Sequence, residues 1–467
     1  MNPAGESRGG RACLPACSHT DDKNCALPTF SAYLNKGFDL RGHANHMADA
    51  RQDPDISAAS VFLATFHSFV FRLPSFQQLE RDLKGTYLPQ WIEAPRSFGD
   101  DTLRYSLSGF DPAPLEAMLV DVNRRLMRGK AFEDRRVQGM MVAALDGIEV
   151  LSSFSRCCEN CLERPVKMKE GGRTVEHIQY YHRAVGCQMV HSQVRSFLGI
   201  EWLRPGEGET TAALRLLRRL PELYGGRFFD ILLLDALYAQ SPVLDLIRQT
   251  GWETVISLKR NCPDLYSSAI RLFSHRDCDL TVTEQVEHKT YECKIWDTEG
   301  LSFAEGKQTV RVVRSEETLK RNRYRDGELG EYESSHEWLW LTTLPASQFS
   351  AATVRRLGHD RWKNENNGWM DLTKHWAFKH GFLHACQHRP KMVNAEGLKV
   401  LVPNTGLAAV AYIALIAFSV CAAFFFRHSK LVRIYKYSMI AVANQLRAWI
   451  AKPPPCFPAP GDSPIVC

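Results

Sequence analysis

Asp146 and Asp235 each follow a short, largely apolar run, Met140–Leu145 and Phe228–Leu234. Glu365 sits among Arg361, Lys363, Lys374 and several aromatic rings. Runs of this length and composition read as strands buried on both faces, so each aspartate is expected where a strand leaves its sheet. That edge is where α/β sheets place ligands. A carboxylate there is poorly solvated and costly unless a cation accompanies it. Two aspartates from neighbouring strands and a glutamate from a packed helix form a hard, all-oxygen donor set suited to Mg2+. Two such ions about 3.5–4 Å apart activate an attacking oxygen and stabilise a leaving one in phosphodiester chemistry. The competing account is plain: turn or cap residues for the aspartates, a core ion pair for Glu365.

A second group carries different chemistry. Cys158 and Cys161 form a CxxC pair, and His177 and His182 follow at a zinc-finger-like spacing. Two thiolates and two imidazoles suit tetrahedral Zn2+ and would staple the loop after the first buried strand. The alternative is a chance CxxC with His182 simply packed.

Around these residues the chain is long enough, at 467 residues, for two or three domains. The formal charge of +6 is mild, so local basic clusters matter more than the total. The 14 cysteines show no small-domain framework and no leader pattern opens the chain, so reduced thiols in a cytosolic protein are expected. Gly406–Phe426 has no charged residue across 21 positions. Its length permits a membrane span, but its alanine content and isolation favour a buried helix.

The elements expected to position these groups follow in order. Residues 1–50, rich in Gly, Ser, Asp and Asn, read as disordered. Residues 51–138 read as a helical domain, with Leu115, Leu119, Val122 and Leu126 on one helix face and a basic run including Arg124 and Arg125. Residues 139–261 alternate strands and helices, including strands at Ala184–Val190, Ser196–Trp202 and Glu253–Leu258, as an α/β domain with a mixed sheet does. Residues 262–345 alternate polar and apolar positions, as an antiparallel β insertion does, and carry a basic cluster with Arg321 and Arg323. Residues 346–450 return to helix, and the proline-rich tail 451–467 is irregular. Within the helical return, Trp362, Trp369 and Trp376 recur every seven residues, which predicts one continuous helix with the three rings on one side.

These blocks resemble the DDE transposases of bacterial insertion sequences. The resemblance rests on Leu145-Asp146-Gly147, Phe229 through Tyr238, and Gly358-His359-Asp360-Arg361-Trp362-Lys363-Asn364-Glu365-Asn366. Cys158 through Arg164, Tyr180-Tyr181-His182-Arg183 and Arg204 through Glu209 add to it, so that it spans roughly residues 57–440. It implies a ribonuclease H-like mixed-sheet core, interrupted by a mostly β insertion and preceded by a helical domain. It further implies Asp146, Asp235 and Glu365 as a metal-binding catalytic triad using two Mg2+ or Mn2+ ions. Related transposases carry a Tyr-Arg-Glu-Lys signature around the glutamate. Arg361 fits it, Gly358 stands at the tyrosine position, and Lys374 follows Glu365 after eight intervening residues where six are usual. Arg361, Lys363, Lys374, Arg124, Arg125, Arg321 and Arg323 are then the expected DNA contacts, Arg361 as a bidentate phosphate holder. Trp296 is a candidate base-stacking ring, with a structural tryptophan as the better-supported role.

The expected function is therefore cleavage of the element's ends and transfer of the freed 3′ hydroxyl to target DNA by a homodimer on DNA in the bacterial cytoplasm at the nucleoid. Two other classes stay open: a catalytically inactive relative that only binds DNA, and a membrane-anchored protein.

Overall fold

In the computed structural model, the residues described run from 26 to 451, less 287–288, 305–306, 326–327, 363–367, 381–382, 385–388, 394–397 and 429–437. At 26–28, 286, 322–325, 328–331 and 393 the structure describes the backbone only.

Among the described residues seven helices come first: α1 (Ala26–Phe38), α2 (Leu40–Ala44), α3 (Ala58–Val70), α4 (Phe76–Gly85), α5 (Leu88–Trp91), α6 (Asp100–Ser108) and α7 (Pro112–Arg128). Four start at side-chain caps: Asp39, Ser57, Ser75 and Asp111 each accept a hydrogen bond from a first-turn backbone N–H. The helix expected after Pro74-Ser75 is α4, and the predicted α7 face of Leu115, Leu119, Val122 and Leu126 is buried. Loose structure across residues 1–50 does not hold for 26–44, because Phe30, Leu34, Phe38 and Leu40 seat α1 and α2 in the core.

The sheet has ten strands: β1 (Val142–Ser153), β2 (Leu162–Glu170), β3 (Arg173–Met189), β4 (Ser196–Trp202), β5 (Ile231–Leu234), β6 (Glu253–Ser257), β7 (Leu280–Val286), β8 (Lys289–Phe303), β9 (Gln308–Arg325) and β10 (Glu328–Thr342). Their order is β2-β3-β1-β5-β6-β10-β9-β8-β7, with β4 also paired to β3. The β1–β5 and β5–β6 pairings are parallel, and the remaining pairings are antiparallel. Helices α8 (Glu209–Tyr224), α9 (Ser241–Thr250) and α10 (Pro263–Ser274) connect the middle strands, and α11 (Ala351–Asp360) follows β10. A short hairpin pairs β11 (Lys391–Val393) with β12 (Lys399–Leu401).

Alternation along β1 and β5 divides the interior. Ala143, Leu145, Leu232 and Leu234 face a large core shared with α1–α8 and the Gly406–Arg427 helix. Val142, Ala144, Ile231 and Leu233 face a smaller core closed by Val354 and Leu357 of α11 and by Trp340. The N-terminal helices thus share one hydrophobic core with the sheet and form no body of their own. The β insertion is likewise continuous with the sheet, since β10 pairs antiparallel with β6 at Trp340–Ser257 through Thr342–Val255.

The Gly406–Arg427 helix is 22 residues long, and 83% of its most apolar window is buried within the fold. It packs on α3, α7 and β4. Its apolar surface is covered by the protein itself, which is the burial its composition favoured.

The helix expected through Trp362, Trp369 and Trp376 falls partly on residues 363–367, which lie outside the described residues. α11 ends at Asp360, and a short helix at Met370–His375 follows. Trp369 and Trp376 are buried while Trp362 is 44% exposed, so the three rings share no face.

Candidate active site

The parallel pairing of β1 with β5 sets the site. Its register joins Val142 to Ile231, Ala143 to Leu232 and Ala144 to Leu233. Asp146 and Asp235 each lie two positions beyond that last pair, so the two carboxylates stand level on adjacent strands. By alternation Asp146 continues the Val142–Ala144 face, the one α11 covers. Asp235 directly follows the end of β5, as expected. Asp146 does not end its strand: β1 continues to Ser153, and Asp146 pairs with Gly186 of β3. The apolar run stops at Leu145 because the alternation beyond it is weaker, the buried Ile148, Val150 and Leu151 straddling a register shift between Glu149 and Leu151.

Helix α11 starts at Ser350, whose hydroxyl accepts from the Thr353 N–H, and ends by delivering Arg361 between the two acids. Arg361 Nη1 lies 3.4 Å from Asp146 Oδ2, and Nη2 lies 3.9 Å from Asp235 Oδ1. Lys259, just beyond β6, puts Nζ 3.5 Å from Asp235 Oδ1. One buried guanidinium therefore bridges both aspartates. Arg361 is an acid-bridging residue here, in place of the open phosphate holder expected of it. Gly358, one turn earlier, explains the missing tyrosine: a Cβ there would lie 2.0–2.5 Å from the Trp340 indole, which fills that space.

A further acid joins the site, and sequence reasoning assigned it no role. Glu209, in the first turn of α8, accepts a hydrogen bond from Tyr238 at 2.7 Å and pairs with Arg183 of β3 at 2.5 Å. Its carboxyl lies against the backbone beside Asp146, 2.5 Å from where a Cβ on Gly147 would sit. Burial, then the charges of Glu209 and Asp146, push the Tyr238 hydroxyl well above its ordinary range, keeping it a donor. The available signal was positional, an acid opening a helix after the Pro205–Gly208 loop.

Glu365 and Lys363 lie outside the described residues. Lys374 is exposed on the Met370–His375 helix. Arg124 donates to the Leu223 carbonyl, and Arg125 pairs with Asp121 at 2.6 Å and donates to the Gly37 carbonyl. Arg124 and Arg125 of α7 are thus each engaged within the fold. Arg321 lies over the Tyr332 ring at 5.1 Å, and the Arg323 side chain is outside the described residues. Trp296 is structural: its Nε1 donates to the Arg276 carbonyl and Arg314 covers its ring at 4.5 Å.

Cys158, Cys161 and His182 do come together, but His177 does not join them. His177 pairs with Glu170 across the β2–β3 hairpin at 2.9 Å. Both histidines lie on the extended strand β3, where five residues span roughly 17 Å and end on the opposite face. The fourth member is His384, whose Nε2 lies 3.1 Å from Cys161 Sγ. Burial, then His384, lowers His182 to about 4, and burial lifts the Cys161 thiol to about 12.

Residues 156–375, just under half the chain, match the transposase DDE domain family. The matched stretch contains Asp235 and Glu365 and begins after Asp146. None of the curated proteins matches the sequence. Among solved structures, the cryo-EM structure of the piggyBac transposase synaptic complex with hairpin DNA is similar at a TM-score of 0.38 and 10% identity. That alignment covers 91% of this chain and 81% of the other, and at that score it is too loose to define a shared fold.

Proposed function

We propose that the protein is a DNA transposase that binds the ends of its own insertion element, cleaves them and joins the freed 3′ hydroxyl to target DNA. The observation that carries this reading is the level placement of Asp146 and Asp235 on adjacent parallel strands about one shared cation, within a chain whose residues 156–375 match transposase DDE domains. The order β4-β3-β1-β5-β6, three antiparallel strands and then two parallel to β1, supports a ribonuclease H-like core.

The donor set fits divalent magnesium or manganese. Asp146 and Asp235 offer only oxygen, are 19% and 31% exposed, and already converge on a single positive group. Asp146, Asp235 and Glu365 would hold the metal, which when bound supplies charge stabilisation and an activated oxygen for phosphodiester attack. The chain's own groups prepare that place. Arg361 and Lys259 set positive charge against the aspartates, α11 fixes Arg361, and the Tyr238–Glu209–Arg183 chain buttresses the backbone at Asp146. Most of the catalytic effect in phosphoryl transfer is positioning and electrostatics, which these contacts provide. A homodimer on DNA, in a bacterial cytoplasm, completes the reading.

Asp146→Ala and Asp235→Ala are expected to lower cleavage of a duplex carrying the element's ends by more than about 100-fold in Mg2+ or Mn2+, while binding to the same duplex changes little. Full cleavage by either variant overturns the site. A second reading, an inactive DNA-binding relative, draws on Arg361 bridging the acids and on the shifted Lys374. Wild-type protein that binds the duplex and never cuts it would select that reading.

A further inference from the structure

We propose that Cys158, Cys161, His182 and His384 form a closed structural Zn2+ site that fastens the chain beyond the Met370–His375 helix to the edge of the catalytic sheet. Strand register builds half of it. In the β2–β3 hairpin Leu162 pairs with Tyr181, so Cys161 and His182 stand opposite each other one step further along. Cys158 reaches the same point through a turn in which the Cys161 N–H donates to the Cys158 carbonyl. His384 arrives from 223 positions away in sequence.

The spacing is that of a metal site. The two sulfurs are 3.7 Å apart, and His182 Nε2 lies 3.2 Å from Cys158 Sγ and 3.4 Å from Cys161 Sγ. All four ligand atoms fall within 4.8 Å of one another. Tetrahedral zinc, with bonds of about 2.3 Å to sulfur and about 2.0–2.1 Å to nitrogen, needs ligand–ligand edges of roughly 3.3–3.8 Å. The donor atoms already stand near those lengths, and both histidines present the same ring nitrogen. The two rings meet edge to face, 88° apart, so both Nε2 atoms reach the sulfurs without the rings colliding.

The donor set selects the ion. Two sulfurs and two imidazoles are soft to borderline ligands, which favours zinc over magnesium or calcium. Four protein ligands leave no open position, so the site is structural. On binding, two thiols lose their protons to solvent, and the two thiolates balance the charge of the ion. Cys158 and Cys161 precede β2 in the connection that follows β1, the strand of Asp146, whereas His384 follows the segment that carries Glu365. One ion thereby joins the two halves of the chain that supply the candidate acids.

The test is metal analysis of full-length protein purified without chelator. About one zinc per chain is expected, falling below about a fifth of that in Cys161→Ser and His384→Ala and unchanged in His177→Ala. Cobalt exchanged into the wild type should give the visible bands and thiolate charge-transfer absorption of a tetrahedral two-sulfur site. His384→Cys should retain the metal, with those bands shifted toward a three-sulfur pattern. Zinc-free wild type that takes up no cobalt after thiol reduction overturns the proposal, as does full zinc in His384→Ala. A Cys158–Cys161 disulfide in the protein as isolated, with no metal uptake on reduction, would make the pair redox-active instead. Metal content is read without any DNA, so this result and the cleavage experiment stand or fall separately.

Discussion

The Glu209 carboxyl occupies the space in which any side chain at position 147 would begin. It cannot easily yield, because Tyr238 and Arg183 hold it in place. Gly147→Ala is therefore expected to cost about 1–3 kcal/mol in denaturant unfolding, by pushing the carboxyl off its partners and leaving a buried donor unmatched. Removing the obstruction should recover part of this. In a double-mutant cycle, Gly147→Ala with Glu209→Ala should cost less than the sum of the two single changes. Strict additivity would show that the contact is not tight. Asp146, one residue earlier, was visible in the sequence because an acid at the end of an apolar run is conspicuous. Glu209 was hidden because nothing local distinguishes it from an ordinary acid at a helix start. His384 was hidden for another reason: the ladder that places Cys161 beside His182 is local, whereas the approach of a residue 223 positions away is decided by tertiary packing.

At the level of elements, α11 is anchored from below by the insertion. Glu317 of β9 accepts hydrogen bonds from Arg355 at 2.8 Å and from His359 at 2.7 Å, both on the helix that ends in Arg361. Burial works to raise the Glu317 carboxyl, but these two partners outweigh it and bring it to about 2 from an ordinary 4.5. A carboxyl that titrates lower when folded adds stability above its unfolded pKa and loses it as pH falls through its folded one. Glu317→Gln should therefore lower stability near pH 7, toward the lower end of about 3–5 kcal/mol because Glu284 still accompanies Arg355. The gap from wild type should shrink between pH 4.5 and 2 in urea titrations. A gap independent of pH across that window would rule out the pair as its cause.

The same scale shows what patterns of hydrophobicity reveal. β5 and the start of β1 were legible because both are uniformly apolar, as strands buried on both faces are. The hairpin of β2 and the first half of β3 was not. Its outer part, with Lys167, Lys169, Glu170 and Arg173, is solvated on both faces and carries no alternation. The shared face drawn for three tryptophans failed because a seven-residue recurrence does not decide which rings find packing partners.

Across the whole molecule, the Gly406–Arg427 helix is the shared floor of the N-terminal helices and the sheet, against α3, α7 and β4. Leu415, fully buried there, is expected to cost about 2–5 kcal/mol when changed to Ala, read from the denaturation midpoint. A helix that met lipid instead would show almost no change in the stability of the remainder. The arrangement also accounts for the N-terminal helices being inseparable from the sheet, since their apolar faces have no other cover.

The pairing of β10 with β6 has a practical consequence for anyone trimming this protein to a minimal core. Excising residues 262–345 would not free a compact unit with a clean boundary. It would strip the hydrogen-bonding partner from β6 and leave a bare, apolar strand margin able to template association with other chains. Such a truncation should come out of cells as aggregate, and a shortened version that keeps the Trp338–Thr342 end of β10 and its β9 partner should remain dispersed.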